Sequence, residues 1–257
     1  MSAEEPIHWA LASVVGTGWY HVSGGRDAFI FSLSPRQVLS ETRPGGRETR
    51  QNGLWINYDA AIGLYDIDAA PGALSPDNLS TVSFTPGIEA EFPVNERWTL
   101  RSYANLGWGT AMGDGDSAWI WYAGIKSRYR LGSPKSLWSL LNGLYYAGFS
   151  PDGGPSRDMT GLFAGVEFSH ALRKVSAYGL HWHFGYTALD DSVAFVLRDE
   201  TPRTIGDTAE IGLAISRRDD PFTLWFLKFD RLGLKYSFDT DGEFKSISLT
   251  VGSWLDS

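Results

Sequence analysis

Apolar and polar residues alternate along this chain with a period of two, in block after block separated by turn-forming residues, which predicts consecutive antiparallel strands. At 54–64, Leu54, Ile56, Tyr58, Ala60, Ile62 and Leu64 share one side of an extended chain, and Trp55, Asn57, Asp59, Ala61 and Gly63 the other. At 81–92, Val82, Phe84, Pro86, Ile88, Ala90 and Phe92 oppose Thr81, Ser83, Thr85, Gly87, Glu89 and Glu91. The rule returns at 98–109, where Trp98, Leu100, Ala104, Leu106 and Trp108 oppose Arg101, Tyr103, Asn105, Gly107 and Gly109. At 119–131, Trp119, Trp121, Ala123, Ile125, Tyr129 and Leu131 oppose Tyr122, Gly124, Lys126, Arg128 and Arg130. Further strands are expected at 7–22, 28–40, 137–149, 160–172, 177–189, 207–216, 222–238 and 244–255, about twelve in all. Two are irregular. The 137–149 segment is apolar on both faces, and 222–238 puts Lys228 and Asp230 on its apolar side, for which a β-bulge near 228–231 is the expected remedy.

The connections alternate in length. Short ones at 94–97, 131–135, 173–176 and 217–221 are interleaved with longer Gly/Pro/Asp-rich ones at 68–80, 112–117, 150–158 and 190–206, the last with an apolar patch from Val193 to Leu197. Transmembrane barrels separate tight turns from longer loops in this way. The Arg/Gly/Glu-rich stretch 41–53 falls at a short-turn position and breaks the rule. No linker or shift in composition divides the chain, so residues 1–257 are expected to form one domain.

No stretch approaches the roughly 18 to 20 uninterrupted apolar residues of a membrane-spanning helix, whereas a spanning strand needs only about 9 to 11 with one apolar face. The mean hydropathy of −0.18, beside 11 Trp and 11 Tyr, is what interleaved apolar and polar residues produce. In a soluble barrel the second face would be dominated by large charged residues. Here it mixes Gly63, Gly87, Gly107, Gly109, Gly124, Gly165, Gly179, Gly185 and Gly212 with Tyr103, Tyr122 and a few charges, which suits a crowded interior. The apolar face therefore points outward. Trp9, Trp19, Trp98, Trp108, Trp119, Tyr129, Tyr178 and Tyr186 fall at expected strand ends, where an interfacial girdle belongs. The expected fold is all-β, an antiparallel up-and-down transmembrane β-barrel of about twelve strands.

Residues 84–109, FTPGIEAEFPVNERWTLRSYANLGWG, with AWIWYAGIKSRYR at 118–130 and FDRLGLKYSF at 229–238, resemble the solitary outer-membrane autotransporter-like β-barrel family. The resemblance implies a twelve-strand barrel without a passenger, a place in the bacterial outer membrane, contact with outer-membrane lipid and lipopolysaccharide, and the barrel-assembly machinery as a partner during biogenesis. Barrels of this kind close on an apolar strand with a terminal aromatic, whereas Trp254 here stands three residues before the end. Only about six residues precede the first expected strand, and no secretory leader is visible, so the chain reads as a mature form. The family brings no catalytic residues to transfer.

Thirty acidic against 22 basic residues give a net charge of −8, which argues against nucleic acid as a partner, and the lack of cysteine removes thiol chemistry and Cys-type zinc sites. The charges that the alternation turns inward are Arg36, Asp59, Glu89, Glu91, Arg101, Lys126, Arg128, Glu167 and Glu210, with Arg231 and Lys235 beside them. Opposite signs recur on neighbouring strands, so the expectation is a lumen neutralised by pairing, with a selective pore as the sharper alternative. His181 and His183 share the inner face with Glu167 and Glu210 on the flanking strands; a hydrogen-bonded network is expected there ahead of a metal site, and no cofactor. Ser169 and His170 are adjacent and point to opposite faces, a poor nucleophile and base. No serine-hydrolase elbow, phosphate loop or EF-hand appears. The functions left open are a narrow pore for small solutes or a closed barrel with a charged lumen, a lipid-modifying enzyme, and a surface-recognition barrel acting through its long loops.

Overall fold

Strands that are apolar on one side and polar on the other need a sheet whose two faces meet different surroundings, and closing the sheet on itself removes its edges. A computed structural model shows that outcome and describes residues 16–22, 26–43, 51–65, 79–112, 117–133, 136–172, 178–196, 202–217, 222–224, 227–229 and 231–251. The strands are β1 (Gly18–Val22), β2 (Arg26–Leu33), β3 (Arg36–Ser40), β4 (Gly53–Tyr65), β5 (Leu79–Pro93), β6 (Trp98–Ala111), β7 (Ser117–Ser133), β8 (Ser136–Pro151), β9 (Arg157–Ala171), β10 (Tyr178–Val196), β11 (Pro202–Arg217), β12 (Phe222–Leu224), β13 (Leu227–Phe229), β14 (Arg231–Asp239) and β15 (Phe244–Val251). Every pairing is antiparallel. The wall runs β1, β2, β4 and on to β11, then β14 and β15, which returns to β1 through the register Gly18↔Ser248 to Val22↔Phe244. Leu33↔Ala60 and Arg36↔Asn57 keep one register along β4, so β2 and β3 fill a single position and the closed ring has twelve.

The two faces sort by environment in the sense opposite to a soluble protein. Phe84, Ile88, Leu106, Trp108, Trp119, Leu144, Leu162, Leu234 and Ile247 look outward and are exposed, whereas Thr85, Glu89, Glu91, Arg101, Asn105, Glu167 and His181 look inward and are buried. Strands β5 to β11 run 14 to 19 residues. That exceeds the roughly 9 to 11 needed to cross hydrocarbon and leaves their ends to stand beyond it. On β6, Trp98 and Trp108 bound ten steps of strand. This is about 34 Å along the chain and, at a tilt near 40°, about 26 Å of height, matching the apolar band of such barrels. The aromatics continue around the wall: Trp98 pairs with Tyr129 at one level, and Trp108 with Trp119 at the other.

Several expected boundaries shift. The 222–238 segment is two elements. Its first part folds into the short β12–β13 hairpin, where Phe222 lines an apolar cleft with Leu172, Tyr178, Ile215 and Leu232, and β14 then rejoins the wall. Lys228 thus lies off the barrel strand, and no bulge is needed to excuse it. The connection expected at 150–158 shortens to 152–156, and that expected at 190–206 is largely strand: β8 reaches Pro151 and β9 starts at Arg157, β10 reaches Val196 after a register shift between Ala188 and Val193, and β11 starts at Pro202. The segment from Val193 to Val196 is therefore paired strand, and Leu197 lies outside the described residues. Tyr186 accordingly sits within β10 and not at its end. Within the exception at 41–53, Arg43 and Gln51 exchange backbone hydrogen bonds at 3.0 Å, and 44–50 lies outside the described residues. Of the strand expected at 7–22, only 18–22 is strand; 7–15, including His8 and Trp9, lies outside the described residues.

Candidate functional site

The lumen is lined by one residue in two from each wall strand, so side chains distant in sequence meet across it. Arg36, Asp59, Glu89, Glu91, Arg101, Lys126, Arg128, Glu167, His181, His183 and Glu210 all lie on inward-facing strand positions. All but Arg128 fall into three groups. Neighbouring strands β5 and β6 hold the first: Arg101 Nε and Nη2 donate to Glu91 Oε2 at 3.1 and 2.6 Å, Nη1 reaches Glu89 Oε2 at 3.5 Å, and Arg36 from β3 donates to Glu89 Oε1 at 3.3 Å. Trp55 lies under the Arg101 guanidinium, 5.0 Å from ring centroid to Cζ. Fixed this way, two buried carboxylates face two guanidiniums, the pairing that a water-poor interior requires.

The second group surrounds Asp59 with neutral donors. Asn105 Nδ2 donates to it at 2.9 Å, and the Tyr122 hydroxyl donates as well, itself 3.1 Å from the Thr85 hydroxyl. Asn57 Nδ2 completes the set by donating to Asn105 Oδ1 at 3.3 Å. Lys126 lies 5.3 Å over the Tyr103 ring beside it. The third group spans β9, β10, β11 and β14. Glu167 pairs with Arg231 and stands 3.8 Å from His181, while Glu210 takes His183 at 2.5 Å and Lys235 at 2.9 Å. His181 is bonded on both ring nitrogens, Nδ1 to Ser169 at 2.8 Å and Nε2 to Ser216 at 2.7 Å, and His183 stacks on Phe163. Those nitrogens are committed to hydroxyl and carboxylate partners, and no cluster of three metal-ligating side chains occurs among the described residues. His170, one residue from Ser169, faces away and stacks on Phe168.

Between the charged groups and the end of the barrel bearing the 112–116 and 152–156 connections, the lumen is greasy. Ala118, Ile120, Tyr122, Ala147 and Phe149 form a buried cluster with Tyr103, Tyr145 and Met159 against it. This explains why 137–149 is apolar on both faces: the inner residues Leu141, Ala147 and Phe149 are 2%, 0% and 6% exposed.

The twelve-membered antiparallel ring has a solved counterpart. The crystal structure of the transport unit of the autotransporter AIDA-I from Escherichia coli superposes with a TM-score of 0.50 at 14% identity, covering 90% of this chain and 86% of that one. This chain has the fold of an autotransporter transport unit. The beta domain of the Bordetella autotransporter BrkA gives a TM-score of 0.49 at 12% identity, over 91% of this chain and 94% of that one. No family model and no curated protein sequence matches the chain.

In this autotransporter-type barrel the alternation rule finds the charged lumen residues, because parity alone assigns a side chain to the inner face. It misses the roles of Asn57, Asn105, Ser169 and Ser216. Those residues carry no charge, and only the register between strands shows that they complete the networks. Arg130 has inward parity in the sequence, yet its place in one cavity with Glu167 depends on two intervening strand pairings, and with Arg231 on three more.

Proposed function

We propose that this chain is an integral barrel of the bacterial outer membrane whose lumen is shut by its own side chains, with a charged section and a greasy section in series. The observation that carries the reading is the exposure of the inner face. Ala118, Ile120, Ala147 and Thr85 are 0% exposed, and each of β4 to β11, β14 and β15 places at least one inward residue below a tenth, while Lys126, Arg128, His183 and Lys235 stay partly exposed. An open twelve-strand pore would leave such positions wet, because its lumen is water. The outward apolar band supports the membrane setting, and the autotransporter-like fold supports the outer membrane as the particular bilayer. Purified protein inserted into planar bilayers is the test. Folded barrels are expected to add no steady ohmic conductance; reproducible single-insertion steps would overturn closure in favour of a narrow solute pore.

A further inference from the structure

At the end of the barrel that carries the 94–97 turn, the lumen holds a cavity of about 200 Å³ with an unusual charge balance. Three guanidiniums line it, Arg128 and Arg130 from β7 and Arg231 from β14, with a single carboxylate, Glu167, among the lining residues. Glu167 already serves Arg231 and His181. The Nε atoms of Arg130 and Arg231 are buried and lack an acceptor among the described residues. Ser139, Ser169 and Ser216 add hydroxyls to the same wall, and His181 fixes the last two from either side of its ring. In a chain with eight more acidic than basic residues, this concentration of positive charge runs against the overall balance.

From this arrangement we infer that the cavity binds a phosphate group. Guanidinium forks match the oxygens of a tetrahedral anion two at a time, and buried cations short of acceptors are stabilised by an anion that supplies them. The Ser139 hydroxyl on the same wall adds a further donor. The volume suits one small anion with water, so the ligand is inorganic phosphate or a phosphate-bearing headgroup entering from the mouth. The inference uses the inward-facing lumen of the proposed barrel but not its closure. A barrel that conducts and still binds phosphate overturns the one and leaves the other standing.

The test is equilibrium dialysis of radiolabelled inorganic phosphate against the folded barrel, in an uncharged detergent and phosphate-free buffer of low ionic strength. Saturable binding at one site per chain is expected, weakened tenfold or more by Arg130→Gln and unchanged by Lys245→Gln on the outer face. Should Arg130→Gln fail to fold, Arg130→Lys keeps the charge and removes the fork, and a several-fold loss is expected. Competition with glycerol 3-phosphate then assigns the source: displacement marks a headgroup site and persistence of bound phosphate marks the free ion, either one supporting the inference. Absence of saturable binding, or binding indifferent to both Arg130 variants, overturns it.

Discussion

Arg101 is 6% exposed and donates to two carboxylates that are 8% exposed, so neither side of this contact draws appreciable help from water. Removing one member leaves the others charged and buried, and that loss is larger than the net worth of the intact pair. Arg101→Ala is expected to lower stability by about 3 to 5 kcal/mol. The double variant that adds Glu91→Gln should recover a large part of that, because the carboxylate left without its cation is gone while Glu89 keeps Arg36; urea unfolding of the detergent-refolded barrel reads both. Asp59 is held by neutral donors instead: Asn105 and Tyr122 supply its hydrogen bonds. Glycine serves the lumen differently. On Gly161 a Cβ would fall on the ring of Tyr145, its cross-strand partner, so the ring occupies space that any other residue would claim.

At the scale of one strand, the determining quantity is depth in the membrane. Ile88 on β5 is 59% exposed and pairs with Ala104, between the aromatic levels marked by Trp98 and Trp108, whereas Phe92 pairs with Leu100 close to Trp98. An arginine at the first position must cross hydrocarbon, while at the second it reaches the interface. Ile88→Arg is expected to cost about 2 to 4 kcal/mol and Phe92→Arg about 0 to 1, measured by unfolding from lipid vesicles. Equal costs at the two positions would contradict the placement of the band. The β12–β13 hairpin shows the limit of reading periodicity as a single element: a segment whose parity fails at Lys228 was two short strands outside the wall and a third within it.

For the whole molecule, the exposed apolar side chains on every long wall strand make detergent or lipid a requirement for the native state. Purified protein should be monodisperse only with detergent, and the folded form should migrate differently from boiled protein in mild gel electrophoresis. A monodisperse detergent-free preparation would reverse which face is outside. Among the described residues, β1 has five residues and meets β15 and β2 through five register pairs each, against thirteen between β6 and β7.

By itself the sequence determined the strand-forming blocks, the face on which each side chain lies and the number of positions in the ring, because all three follow from a period of two interrupted by turn residues. It also assigned the lumen charges, since Glu89 and Arg101 need only parity to be turned inward. Tertiary structure decided which of these charges meet, why 137–149 is apolar on both sides, and that Arg130, Ser169, Ser216 and Glu167 share a cavity. Those facts depend on strand register and on closure across the barrel, relations between distant segments that no local pattern encodes.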